Sequence, residues 1–182
     1  MLNVIRVKGD VLVPKSYLLK CDADRNVFVV HGCNAQGVMG SGLARQVKFD
    51  FPPAYKAYKE HEEHAGMNML GDISMSPIMN DGRDFGHFRI INAVTQQNYG
   101  TNKNVRYTSY DAVDSTFAKI KRTLRGMAVR SAVIAIPHKF ASDRGNADWG
   151  IVKDLIKNQL KDTHLTLYIV EHDVCVRKNS TV

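Results

Sequence analysis

The stretch Val27 to Ala44, VFVVHGCNAQGVMGSGLA, constrains the fold more than any other part of the chain. Val27-Phe28-Val29-Val30 is a continuous apolar run and reads as a buried strand. It breaks into a glycine-rich loop that carries His31, Asn34 and Gln36 and closes on Gly40-Ser41-Gly42. Leu43, Val47 and Phe51 then recur at helical spacing. A strand that feeds a glycine loop and a helix N-terminus is suited to holding an anion. Glycines let the backbone approach closely, the first-turn N–H groups point at the ligand, and the helix dipole favours negative charge there. The stretch therefore reads as half of a phosphate site.

The rest of the chain supplies candidates for the other half. Leu2 to Val7 alternates apolar and polar residues like a half-buried strand, and Gly9-Asp10-Val11 follows it. Asp10 fits either a turn or an acceptor for an amino group. Phe51-Pro52-Pro53 interrupts the helical pattern, and Ala54 to His64 resumes it. Leu70 to Met79 reads as a strand, Asn80 to Gly86 as a hairpin loop of turn formers, and His87 to Thr95 as the returning core strand. That strand ends in a polar cluster, Gln96-Gln97-Asn98-Tyr99-Gly100. Thr108 to Arg125 is an amphipathic helix, Ser131 to Ile136 a core strand, and His138 to Ala147 a polar loop. Asp148 opens the next helix, and Leu165 to Val170 is a last apolar strand. The expected architecture is one α/β domain, a mixed sheet between helical layers, with a core at about 2–172 and a polar tail at 173–182. In such sheets a ligand sits outside the carboxyl ends of the strands. Three strands end there in small or polar loops, after Val30, Val94 and Ile136, and two of those loops run into helices.

Composition narrows the function classes. The 182 residues suit a single domain, and no apolar run approaches the roughly 20 residues of a membrane span. The N-terminus lacks a signal-peptide pattern, and Cys21, Cys33 and Cys175 lack metal-type spacing. A reduced protein in the cytoplasm is the economical expectation. The net charge of +7 suits an anionic ligand, but Lys and Arg are dispersed. Their densest run, Lys119 to Arg130, reads as a solvated helix face rather than a nucleic-acid surface. His61 and His64 share a helix face with only Glu62 and Glu63 close by, too few ligands for a tetrahedral metal site.

Five motifs in order carry a family resemblance. They are KGDVL at 8–12, HGCNAQGVMGSGLA at 31–44, TQQNYG at 95–100, RYTSYDAV at 106–113 and DWGIV at 148–152. The chain resembles the macro domain family, and within it the small ADP-ribose-1″-phosphate phosphatases found in many bacteriophage genomes. The resemblance implies a three-layer α/β/α macro domain with a central mixed β-sheet, working as a monomer on ADP-ribose or ADP-ribose-1″-phosphate, without a cofactor or metal. It implies that Asp10 accepts from the adenine amino group with Val11 beside it. Asn34 would bind the distal ribose, and Gly40, Ser41 and Gly42 would wrap the distal ribose and phosphate. Gln96 would form a third wall, and the loop Ser142, Asp143, Arg144, Gly145 and Asn146 would meet the diphosphate. Related chains read GCGLAGGDW where this one has Ala141 to Trp149, so the loop keeps a single glycine, Gly145, where they carry four, and an acid, Asp143, enters. A related branch that removes ADP-ribose from protein glutamates uses a lysine just after this strand, where Gln96 stands here.

For phosphomonoester hydrolysis the chain offers three catalytic candidates. His31 fits general acid/base work because its ordinary pKa lies near neutrality, and it equally fits a strand-end histidine bonded to backbone. Asn34 would orient ribose or water. Asp148 fits a base or, at the first turn of a helix, a cap. His138 is a second histidine at a strand end, and Cys33 borders the same loop with no base placed beside it.

Overall fold

The computed structural model describes residues 1–22, 25–79, 88–129 and 131–173. The hairpin loop expected at Asn80 to Gly86, together with Arg130, Cys175 and the tail beyond 173, lies outside the described residues. Six strands form one sheet: β1 (Asn3–Gly9), β2 (Asn26–Asn34), β3 (Ile73–Met75), β4 (Phe88–Gln96), β5 (Ala132–Pro137) and β6 (Thr166–His172). Among the described residues four α-helices accompany them: α1 (Gly42–Asp50), α2 (Pro52–Ala65), α3 (Tyr110–Gly126) and α4 (Trp149–Leu160).

The sheet order is β1-β6-β5-β2-β4-β3. All pairings are parallel except β3 with β4, so the sheet is mixed, as expected. Burial on both faces explains the uninterrupted apolar strands. Along β2, Val27 and Val29 face one core with Ile90, Val133, Val47, Ala54 and Tyr58, on the side of α1 and α2. Phe28 and Val30 face the other core with Ile134, Phe117, Ile120, Val152 and Ile156, on the side of α3 and α4. The three layers follow from that alternation. Among the described residues no helix is long and apolar enough to cross a membrane.

The strand expected over Leu70 to Met79 is shorter than its alternation suggests. A 3-10 turn occupies Gly66–Met69, Gly71 takes a left-handed φ of +79°, and only Ile73–Met75 pairs as a strand. Ser76 still donates its N–H to the Ile90 carbonyl, and Pro77, which has no N–H, then interrupts the ladder before Met79 pairs with Phe88.

Five parallel strands point the same way, so the ends of β1, β6, β5, β2 and β4 share one edge. β5, β2 and β4 are neighbours, and the loops that follow them are therefore brought together.

Candidate functional site

The three loops enclose a cleft of about 620 Å³. Its lining includes His31, Cys33 and Asn34 from the end of β2, Gly40 to Ala44 at the start of α1, Thr95, Gln96, Tyr99 and Gly100 at and after the end of β4, and Pro137 to Ala141 with Asp143 to Gly145 at and after the end of β5. Of the residues expected in the site, His31, Asn34, Gly40, Ser41, Gly42, Gln96, Asp143, Arg144 and Gly145 meet here. Ser41 is the N-cap of α1 and makes no side-chain cap bond, so the helix opens onto the cleft without a side-chain cap.

The others lie outside the lining, each for a physical reason. Asp148 caps α4: its carboxylate accepts from the N–H groups of Gly150, at 2.6 Å, and Ile151, at 3.3 Å. Ser142 donates its hydroxyl to the Phe140 carbonyl, and the Asn146 amide donates to the carbonyls of Asn102 and Val105. Both shape the loop from behind. Asp10 and Val11 are buried at the end of β1. The Asp10 carboxylate accepts from the Leu12 N–H at 3.0 Å, closing a turn of the kind Asx residues favour, and the Val11 carbonyl accepts from the Tyr17 hydroxyl. Replacing Asp148 by alanine is expected to cost about 1 kcal/mol of stability through the lost cap, with ligand affinity within twofold of wild type. Denaturant unfolding and calorimetric titration check the two halves of that expectation.

The base of the cleft is a buried polar network. His31 is 1 % exposed, and its Nε2 lies 2.7 Å from Asn92 Oδ1. The Asn92 amide nitrogen donates to the Ala54 carbonyl and to Ser74 Oγ, both at 3.0 Å. A carbonyl can only accept, so the amide nitrogen must face Ala54 and the amide oxygen must face His31. His31 Nε2 therefore carries the proton. Burial lowers the imidazole pKa from 6.5 to about 4, against the opposing pull of the Asn92 bond. At neutral pH His31 is a neutral ring with its N–H committed, and it has no proton to give a leaving group. Its partner is a side chain across the β2–β4 ladder, where the sequence suggested backbone. The Cys33 sulfur lies 3.7 Å from His31 Nε2, so a base does stand beside it, contrary to the sequence expectation, while burial pushes the thiol up and favours its protonated form.

The glycine loop is braced from α2. Asn34 turns its side chain into the loop, donating to the Val38 carbonyl at 2.6 Å and accepting from the Gln36 N–H at 2.9 Å. The fully buried Tyr58 donates its hydroxyl to the Asn34 carbonyl at 2.6 Å. Nothing in the helical pattern of residues 54–64 sets Tyr58 apart from Tyr55. Tyr58→Phe is expected to cost about 1–2 kcal/mol, the price of leaving a buried carbonyl unmatched, and to weaken ligand binding because the loop loosens. Unfolding midpoints and titration of the same sample test both effects.

The opposite loop keeps a glycine-like shape without most of the glycines. Lys139, Ala141 and Asn146 all have φ between +51° and +59°. Such strain is held by the surroundings. Thr108 Oγ1 donates to the Ala141 carbonyl at 2.6 Å, and the Gly145 carbonyl accepts from the N–H groups of Tyr107 and Thr108. Thr95 is among the lining residues to which the sequence reading assigns no role, although it opens the TQQNYG motif. Thr95 is fully buried, and its hydroxyl has no hydrogen-bond partner among the described residues. Its signal in the sequence is a polar residue at the end of an apolar strand.

Comparison with solved structures follows from this geometry. The macrodomain of Thermus aquaticus DarG superposes with a TM-score of 0.66 at 24 % identity, covering 94 % of this chain and 98 % of that one. A macrodomain protein from Streptomyces coelicolor superposes at 0.70 with 17 % identity, covering 94 % and 100 %. The chain has the macro domain fold. A third neighbour of that fold, Thermosipho africanus DarTG in complex with ADP-ribose, superposes at 0.64 with 18 % identity over 81 % of this chain and 38 % of that one. No family model matches the sequence. Among curated proteins, the ADP-ribose 1″-phosphate phosphatase of Saccharomyces cerevisiae is 38 % identical over 77 residues, covering 42 % of this chain and 39 % of that protein. The proteins of the same name from Candida glabrata and Meyerozyma guilliermondii are 30 % and 27 % identical, covering 41 % and 70 % of those proteins. The chain thus spans about two fifths of the length of the first two relatives it matches.

Proposed function

We propose that this macro domain is an ADP-ribose-1″-phosphate phosphatase. One observation carries the reading: the glycine loop, the open N-terminus of α1 and the loop after β5 form a single cleft at the strand ends. Likeness to three proteins named for that activity supports it. ADP-ribose would lie across the strand ends, adenine toward Asp10 and Val11 and the distal ribose and phosphate toward Gly40, Ser41 and Gly42. In the reaction, water attacks the terminal phosphorus and the bond from phosphorus to the ribose 1″ oxygen breaks. A proton passes to that oxygen, giving ADP-ribose and inorganic phosphate. Backbone N–H groups at the start of α1 suit the charge that develops on the phosphoryl oxygens. His138 is exposed in the lining, with its ring edge-to-face on Trp149 at 5.6 Å. His31 and Asn34 shape the floor and the loop. We read the protein as a monomer acting on a small ligand in a reducing compartment, consistent with Cys21 and Cys33 both being free thiols.

Release of inorganic phosphate from ADP-ribose-1″-phosphate tests this directly. Turnover supports the phosphatase. Tight binding of ADP-ribose without phosphate release would replace it with a second reading, a non-catalytic ADP-ribose module. That alternative draws support from the ADP-ribose complex of the Thermosipho africanus neighbour. A third outcome, release of ADP-ribose from a modified macromolecule, would make the protein a hydrolase of a different substrate.

A further inference from the structure

The strand ends run from β1 at one margin of the sheet to β4 near the other, and the cleft occupies the β5-β2-β4 part of that row. Asp10 follows β1, at one margin of the sheet, whereas Gln96 ends β4 near the other. Arg144 belongs to the β4 end, although its loop follows β5. Its neighbour Gly145 is tied there by the N–H groups of Tyr107 and Thr108, at 2.9 and 3.1 Å, and is packed against Thr108 Oγ1 and Gln96. From that anchor the Arg144 side chain crosses to the glycine loop. A Cβ on Gly42 would stand 3.9 Å from Arg144 Cγ and 4.0 Å from its Nε.

This is an unusual place for a cation. Gly42 is the first residue of α1, where the helix already carries partial positive charge, and a cation there is unfavourable unless an anion lies between the two. No carboxylate among the described residues forms an ion pair with Arg144. The buried Thr95 hydroxyl, without a partner among the described residues, lines the same cleft and offers a further polar contact. Among the described residues, an uncapped helix start, a guanidinium in no ion pair and an unsatisfied hydroxyl all line the cleft, which lies away from Asp10.

We propose that Arg144 is the specificity residue for the ligand's terminal phosphate, closing from the β5–α4 loop over the start of α1. It distinguishes the nucleotide that carries this phosphate from the same nucleotide without it. This inference rests on the ADP-ribose reading, with adenine at the Asp10 end. A guanidinium binds a phosphate dianion by charge-assisted, forked hydrogen bonds that the product's free hydroxyl cannot return.

The test compares Arg144→Gln and Arg144→Lys with wild type, measuring KM for ADP-ribose-1″-phosphate and the inhibition constant of ADP-ribose. Should wild type bind without turnover, calorimetric dissociation constants for the two nucleotides carry the same comparison. Arg144 is exposed, so both variants are expected to fold, and thermal melting verifies it. In Arg144→Gln the phosphate-bearing ligand should weaken about tenfold or more while ADP-ribose changes less than about twofold, with Arg144→Lys between. Equal weakening of both ligands would move Arg144 to the diphosphate and overturn the proposal, as would no change in either. A wild-type protein that binds neither nucleotide removes the ADP-ribose reading and the proposal together. Wild-type binding of both with an unchanged ratio in Arg144→Gln removes the proposal alone.

Discussion

Gly145→Ala is expected to reduce ADP-ribose affinity about a hundredfold and to destabilise the fold by about 1–3 kcal/mol. The reason is space rather than backbone freedom. A Cβ on Gly145 would overlap Thr108 Oγ1 and the Ala141 carbonyl oxygen and would stand 2.7 Å from Gln96 Nε2. Thr108 Oγ1 and the Ala141 carbonyl are bonded to each other, so neither can retreat alone. One of them is backbone. The loop from Ala141 to Gly145 would have to move as a unit, carrying Asp143 and Arg144 out of register with the glycine loop. Calorimetric titration alongside chemical unfolding would show it; affinity within threefold of wild type would mean that this loop does not hold the ligand.

The second large effect is acid sensitivity through His31. The imidazole titrates near 6.5 when the chain is unfolded and at about 4 in the native protein. Between those values the unfolded chain binds a proton that the native protein refuses. The contribution to stability is therefore fully present above pH 6.5, falls as the pH drops through this window, and levels below about 4. Integrated over the window, the loss is about 3 kcal/mol. Unfolding midpoints measured from pH 8 to pH 4 should slope downward in wild type, and the slope should flatten in His31→Gln. A wild-type profile parallel to that of His31→Gln would show that the histidine is not held neutral. In Asn92→Leu the buried His31 ring N–H loses its partner and the bonds to the Ala54 carbonyl and Ser74 Oγ are lost with it, and a cost of about 2–3 kcal/mol is expected even at pH 7.

These two residues show where the sequence was legible and where it was not. The glycines and polar residues that follow Val30, Val94 and Ile136 marked three strand ends, because strands buried on both faces read as apolar runs and stop abruptly. Parallel pairing then forced the three loops to one edge. Asp148 showed its capping chemistry through its position before a helix. By contrast, the partner of His31 depends on the β2–β4 register, which sets His31 opposite Asn92, and no local pattern encodes that pairing. Tyr58 required knowing which face of α2 lies under the glycine loop. Ser142 and Asn146 belong to the expected loop, yet their side chains bond to backbone behind it. Arg144 is the reverse case: its chain position placed it in the loop, while its reach to Gly42 is a matter of side-chain direction.

The left-handed residues Lys139, Ala141 and Asn146 have a thermal consequence. Their conformations are unfavourable for L-residues and persist only while the fastenings to Thr108, Tyr107, Asn102 and Val105 hold. The loop's shape is therefore set by the protein's own bonds, and on the proposed function the ligand would not have to order it on arrival. On warming, local release of these few bonds lets the three residues relax to ordinary backbone while the two apolar cores stay intact. Affinity should accordingly fade some degrees below the temperature at which the sheet melts.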